Sequence, residues 1–199
     1  DDLFDRWAAC DRLMPHLHLP LQSGSDRILK KMARRCPTDR YRALVRRARA
    51  AIPDLNLTTD LIVGFPGETP ADHAETMAFI EEMRFGHIHA FAYSARDGTA
   101  AARFPGRVPR SVQKRRSAAV HALAARMGAA ALAARVGETR SVLFEGAPRA
   151  TDAGWTTAGY TDTFQRVAVT LPVDRRLRGR IVPVRLTAAT AEQLVGALA

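Results

Sequence analysis

Residues able to do chemistry gather in three segments, each following an apolar run. They are Gln22-Ser23-Gly24-Ser25-Asp26, Gly64-Phe65-Pro66-Gly67-Glu68-Thr69 and Ser94-Ala95-Arg96-Asp97-Gly98. Gly64 and Gly67 would let a ligand approach the backbone, and a helix starting after Thr69 would offer free N–H groups to an anion. A tight strand-to-helix turn with no ligand explains the same glycines. Arg96 has the planar fork that suits a carboxylate or phosphate, or an ion pair with Asp97. His16 and His18 stand two apart, hence on one side of a strand. With no third ligand nearby, they read as hydrogen-bonded residues of a packed barrel rather than a metal pair. Cys10 and Cys36 form neither CxxC nor CxxxCxxC spacing, so no cluster or zinc motif is present.

The elements that carry these segments alternate. Leu17, Leu19 and Leu21 alternate with His16, His18 and Pro20, a strand pattern. Ser25 is placed to cap the next helix, and Thr38 the one after, whose apolar stripe is Tyr41, Leu44, Val45 and Ala48. Leu57 to Val63 is nearly all apolar or β-branched, as in a strand buried on both faces of a parallel sheet. Thr69, Pro70 and Asp72 form a capping-box signature for a helix running to about Arg84. His87 to Tyr93 alternates as a third strand. The order β-α-α-β-α-β predicts right-handed βα units with every reactive loop at the carboxyl end of a strand. Three strands cannot close a barrel. That, and an opening on Asp1-Asp2 inside a helical pattern, predicts a piece of a longer polypeptide with an exposed strand edge.

The formal net charge is +10 over 199 residues, which favours an acidic partner, nucleic acid first, though an arginine-rich, alanine-rich composition produces the same excess. With two cysteines a disulfide framework is excluded and a cytoplasmic setting is the default. No stretch reaches membrane-span length. Arg103 to Arg110 is a basic, proline-punctuated connector to a long alanine-rich helix from about Ser111. After Val136-Gly137 the pattern changes to short strands at Thr139–Phe144, Gly159–Val169 and Arg180–Leu186, separated by glycine turns. This predicts a small antiparallel barrel, with Tyr160, Phe164, Arg166, Arg175, Arg176 and Arg178 as an aromatic and basic surface for nucleic acid.

Three stretches together resemble the radical S-adenosylmethionine methylthiotransferases: His16 to Asp26, Thr58 to Thr69, and Tyr93-Ser-Ala-Arg-Asp-Gly-Thr99. Gly159-Tyr-Thr-Asp162 resembles the start of the central strand of the C-terminal TRAM domain. The resemblance implies an α/β fold. Residues 1–134 would be the C-terminal part of a partial (β/α) barrel with a trailing helix, and residues 135–199 a TRAM-like RNA-binding β-barrel. It implies S-adenosylmethionine and two 4Fe-4S clusters as cofactors, tRNA as partner, and an N-terminal cysteine-bearing portion whose CxxxCxxC motif is absent here. Without that portion the chain would be inactive. Gln22, Ser23, Asp60, Gly64, Gly67 and Glu68 would lie beside the cofactor. Tyr93, Ser94 and Arg96 would line the substrate side, and Tyr160, Phe164, Arg166, Arg176 and Arg178 would bind RNA. Within the family the likeness points to the MtaB type, acting on threonylcarbamoyladenosine 37, with the isopentenyladenosine and ribosomal-protein branches as alternatives. A non-catalytic RNA-binding module and an unrelated half-barrel enzyme of phosphate chemistry are the competing classes.

Overall fold

A computed structural model describes residues 2–199. Three parallel strands, β1 (His16–His18), β2 (Asn56–Val63) and β3 (His87–Ala92), form a sheet in that order. His18 lies beside Thr58, and Asp60 beside His89. Helices α1 (Asp2–Ala8), α2 (Asp26–Lys31), α3 (Thr38–Ala51), α4 (Pro70–Met83) and α5 (Arg110–Ala133) complete this part.

The sheet is apolar on one side only. Leu57, Leu61, Val63 and Ile88 are buried with Tyr41, Val45, Phe79 and Ile80 of the helices. Asn56, Asp60, His87 and His89 alternate with them and stay partly or fully exposed. The strand expected to be buried on both faces therefore has one face open, with Thr58 and Asp60 as its polar markers.

The predicted capping box on α4 is present: Thr69 Oγ1 accepts from the Asp72 N–H, and Asp72 Oδ2 accepts from the Thr69 N–H at 2.7 Å. The other two predicted caps are not used as expected. Ser25 makes no cap bond and instead donates to Asp72 Oδ1 at 2.8 Å. Thr38 is the first residue of α3, and its N–H donates to Asp26 Oδ1 at 2.7 Å. Long-range partners outcompeted local capping in both cases.

Arg27 also donates to Asp72, which is 4% exposed. Burial pushes the Asp72 carboxyl up, but the bonds from Arg27, Thr69 and Ser25 outweigh it and hold the group well below the usual carboxylate range. Nearby, Thr76 Oγ1 accepts from the Gly24 N–H and lies 3.3 Å from Ser23 Oγ. A Cβ at Gly24 would sit 2.7 Å from the Thr76 Cα, so only glycine lets this loop lie against α4.

Beyond α5, strands β4 (Thr139–Phe144), β5 (Arg149–Thr151), β6 (Gly154–Thr161), β7 (Arg166–Leu171), β8 (Ile181–Ala189) and β9 (Leu194–Leu198) build a second unit. The order β4-β8-β9-β7-β6 closes through a β4–β6 pairing into a five-stranded barrel, with β5 on its edge and β7–β9 the one parallel pair. Val142, Phe144, Val169 and Leu186 fill it. The expected single strand from Gly159 to Val169 is a hairpin: Thr161 donates to the Gln165 carbonyl across a turn at Asp162, Thr163 and Phe164. Strands β5 and β9 lie outside the runs expected from the pattern.

Two outcomes follow. Gly24→Ala forces the loop off α4 and costs about 1–3 kcal/mol of stability, read as a lower urea midpoint. Because the Asp72 pKa is depressed in the folded state, its contribution is complete above about pH 4 and is lost as pH falls toward the folded value. Asp72→Asn lowers stability at pH 7 by about 2–3 kcal/mol and flattens that acid limb in urea titrations across pH.

Candidate functional site

The open face of the sheet carries a column of imidazoles. His16 Nε2 and His18 Nδ1 stand 3.1 and 3.0 Å from the one Thr58 hydroxyl, which can donate to one ring and accept from the other. His18 Nε2 lies 3.4 Å from Asp60 Oδ1. On β3, His87 and His89 stack edge to face at 4.4 Å, and His89 meets His18 at 5.9 Å. Burial pushes His16 down, with help from His18; burial also lowers His87, with help from His89 and His18. Burial thus favours the neutral form of His16 and His87. His87 and His89 repeat the two-residue spacing of His16 and His18, a signal present in the sequence that had been read only as strand alternation.

The small barrel closes the lower end of this face. Its turn at Phe164 presents a ring stacked on His16 at 4.7 Å and on Tyr160 at 4.8 Å. Phe164 has φ 58, the left-handed conformation where glycine is usual at such a turn. A bulky side chain there costs about 1–2 kcal/mol, which the stack offsets. Asn56 Nδ2 donates to the Thr163 carbonyl at 2.8 Å, and Asp54 accepts from both Arg135 and Arg140. Between the two units lies an open-sided cavity of about 1140 Å³. That is ample for a nucleoside-sized ligand.

The structure divides the expected site residues. Asp60, Tyr160, Phe164 and Arg166 line the cavity. Tyr160 and Phe164, expected on an RNA-facing surface, are turned toward the sheet. Arg176 and Arg178 stand exposed on the loop between β7 and β8. Gln22 is buried at φ 71, its N–H donating to the Asp60 carbonyl. Ser23 is buried against Thr76.

The glycine loop is packed by protein rather than open. Gly64 N–H donates to Glu68 Oε2 at 3.0 Å, and Gly67 N–H donates to the Gly106 carbonyl at 2.7 Å. A Cβ at Gly64 would meet Gln113, and one at Gly67 would meet Lys31. Glu68 is buried and bonded to Arg116; burial pushes its carboxyl up against the pull of the Gly64 N–H and Arg116. Lys31 of α2, the connector at Gly106 and Gln113 of α5 thus fill the space beside the two glycines.

Tyr93 is partly buried, and its Oη is buried with no partner. Ser94 and Arg96 are exposed, with no ion pair between Arg96 and Asp97 among the described residues. No group of three His, Cys, Asp or Glu among the described residues is placed to hold a metal ion, so these residues do not fit a cluster. Asp60 on the cavity wall offers a polar group to a ligand at this sheet.

Phe164→Ala removes the ring that shields His16. The His16 pKa then rises toward its ordinary value, as read by proton NMR titration of the imidazole. In the unaltered chain, whose His16 is depressed, stability falls as pH drops below about 6.5 toward the folded value, and the variant softens that fall.

Residues 1–80 match a family model described as the Radical SAM superfamily. A protein of Syntrophobacter fumaroxidans is 41% identical over 198 residues, covering 100% of this chain and 42% of its own length. One of Cereibacter sphaeroides is 44% identical over 196 residues, covering 98% of this chain and 44% of its own. One of Thermobifida fusca is 52% identical over 116 residues, covering 58% and 24%. All three are named tRNA-2-methylthio-N(6)-dimethylallyladenosine synthase. No helix among the described residues is long and apolar enough to cross a membrane. The chain spans about two fifths of the length of the first two relatives, and what it shares with them runs through residues 1–80, the part similar to the Radical SAM superfamily, and on through the small barrel.

Proposed function

We propose that this chain forms the cavity-bearing and RNA-contacting portion of a tRNA methylthiotransferase acting on dimethylallyladenosine. The observation that carries the reading is similarity along the full chain, through both the parallel sheet and the small barrel, to relatives bearing that name. The threonylcarbamoyladenosine (MtaB-type) expectation finds no support among those relatives and gives way to the isopentenyl-type alternative.

S-adenosylmethionine, when bound, supplies the radical chemistry. Asp60, on the cavity wall, would hold it from this chain, and Gln22, Ser23 and Glu68 hold the surrounding loops. The clusters that activate the cofactor would be held by ligands outside the described residues. Tyr93, Ser94 and Arg96 sit on the substrate side at the carboxyl end of β3. The imidazole column and Phe91 present flat aromatic surfaces to the cavity, suited to stacking with a modified base. The small barrel acts as the TRAM-like module, with Arg176 and Arg178 toward RNA. The protein works in the cytoplasm, where tRNA is modified.

The test is nucleoside mass spectrometry of tRNA from cells expressing the whole native polypeptide in a background lacking methylthiolation. Methylthio-dimethylallyladenosine is expected. Methylthio-threonylcarbamoyladenosine in its place would overturn the substrate assignment, and neither product would overturn the activity.

A further inference from the structure

We infer that the connector before α5 and the first two turns of that helix form a second docking surface for RNA phosphates, apart from the small barrel. This rests on the tRNA reading above and adds a place to it. No acidic residue occurs between Asp97 and Glu138. Of the cations in that span, Arg116, Arg126 and Arg135 pair with Glu68, Glu81 and Asp54. Arg103, Arg107, Arg110, Lys114 and Arg115 are exposed and make no ion pair among the described residues.

These charges are held in place rather than spread along a floppy loop. The Gly106 carbonyl accepts from Gly67, Arg107 reaches the Ala102 carbonyl at 3.3 Å, and Gln113 donates to the Gly64 carbonyl at 3.2 Å. Pro105 and Pro109 stiffen the backbone between them. Arg110 and Lys114 share one helix face, about 6 Å of rise apart. Val112, Gln113 and Arg116 lie at least partly buried, so the free cations point away from the sheet. Lys31 reaches over Gly67 and joins the same rim.

The second observation is the helix start itself. Helix α5 has Pro109 at its N-cap with no side-chain cap bond, no acid in its first turn, and arginine as its first residue. Positive charge at this pole opposes the helix dipole, and the first N–H groups lack a side-chain acceptor. The other long helices begin with an acidic residue in their first turn, Asp39 in α3 and Asp72 in α4. An arriving phosphate supplies both the missing acceptor and the missing negative charge.

The partner is nucleic acid rather than a membrane surface. Membrane-binding basic segments carry large apolar side chains to insert. The exposed large apolar residues of this protein lie elsewhere, among them Leu3, Phe91, Val173 and Ile181, with none from Gly98 to Arg116.

The experiment measures binding of the full chain to a short RNA stem–loop by fluorescence anisotropy across a salt series. It compares the unaltered chain with R110A/K114A/R115A, which keeps a good helix former at each site, and with a control, R34A/R40A/R46A, of equal charge change. Each lost phosphate contact removes roughly 0.7–0.9 from the slope of log K against log salt. The patch variant is expected to lose about two units of slope and at least tenfold in affinity at low salt, with the control near the unaltered chain and both variants matching it in circular dichroism. Equal slopes for all three overturn the surface while leaving the tRNA reading standing. Equal losses in the patch variant and the control also overturn it, since net charge alone then explains them. Absence of salt-dependent RNA binding by the unaltered chain overturns both.

Discussion

A carboxylate with almost no contact with water holds the reactive end of the sheet together. Asp72 accepts from Ser25, Arg27 and Thr69, which belong to the loop after β1, to α2 and to the cap of α4. An ionised group at such depth is tolerable only when its oxygens are saturated by donors, and here they are. The three segments therefore have to meet in one geometry. Gly24 makes that geometry sterically possible, because any side chain there would strike the Thr76 backbone. The loop bearing Gln22 and Ser23 inherits its position from this knot, and so does the start of α4 beside the glycine loop.

The sheet divides its labour by face. Leu57, Leu61, Val63 and Ile88 supply the burial that fixes the helices, while Thr58, Asp60 and the histidines hold the opposite side for chemistry. A strand alternation that would be wasteful in a fully covered sheet is what creates a polar wall on an otherwise apolar element. Closing that wall from below falls to the small barrel. Its contribution depends on Phe164, a bulky residue held where glycine would fit more easily. The strain is tolerated because the ring has two stacking partners.

Much of this was legible in the residues. The run from Leu57 to Val63 forms a strand and Thr69 and Asp72 form a capping box, since both carry their own physics within a few residues, but the open face of that strand depends on what packs around it. Capping at Ser25 and Thr38 was misread because each group bonded to a residue far away or displaced by one position. At the glycine loop, sequence shows the freedom of a glycine, not that Lys31, Gly106 and Gln113 pack beside it. The hairpin at Asp162 lacks glycine in its turn, so it passed as one continuous strand. Phe164 stacks between Tyr160 and His16, the latter in the other unit, and no local pattern encodes that.

Asn56 has a consequence for the order of folding. Its amide meets the Thr163 carbonyl across 107 residues, whereas each unit's own strand pairings span far shorter separations. Closing so long a loop costs entropy, and contacts of shorter span that fix its two ends lower that cost. The sheet and the small barrel, each with its own core, are therefore expected to assemble before they meet. The cavity is lined by residues of both units, so a ligand occupying it would favour the joined form by mass action.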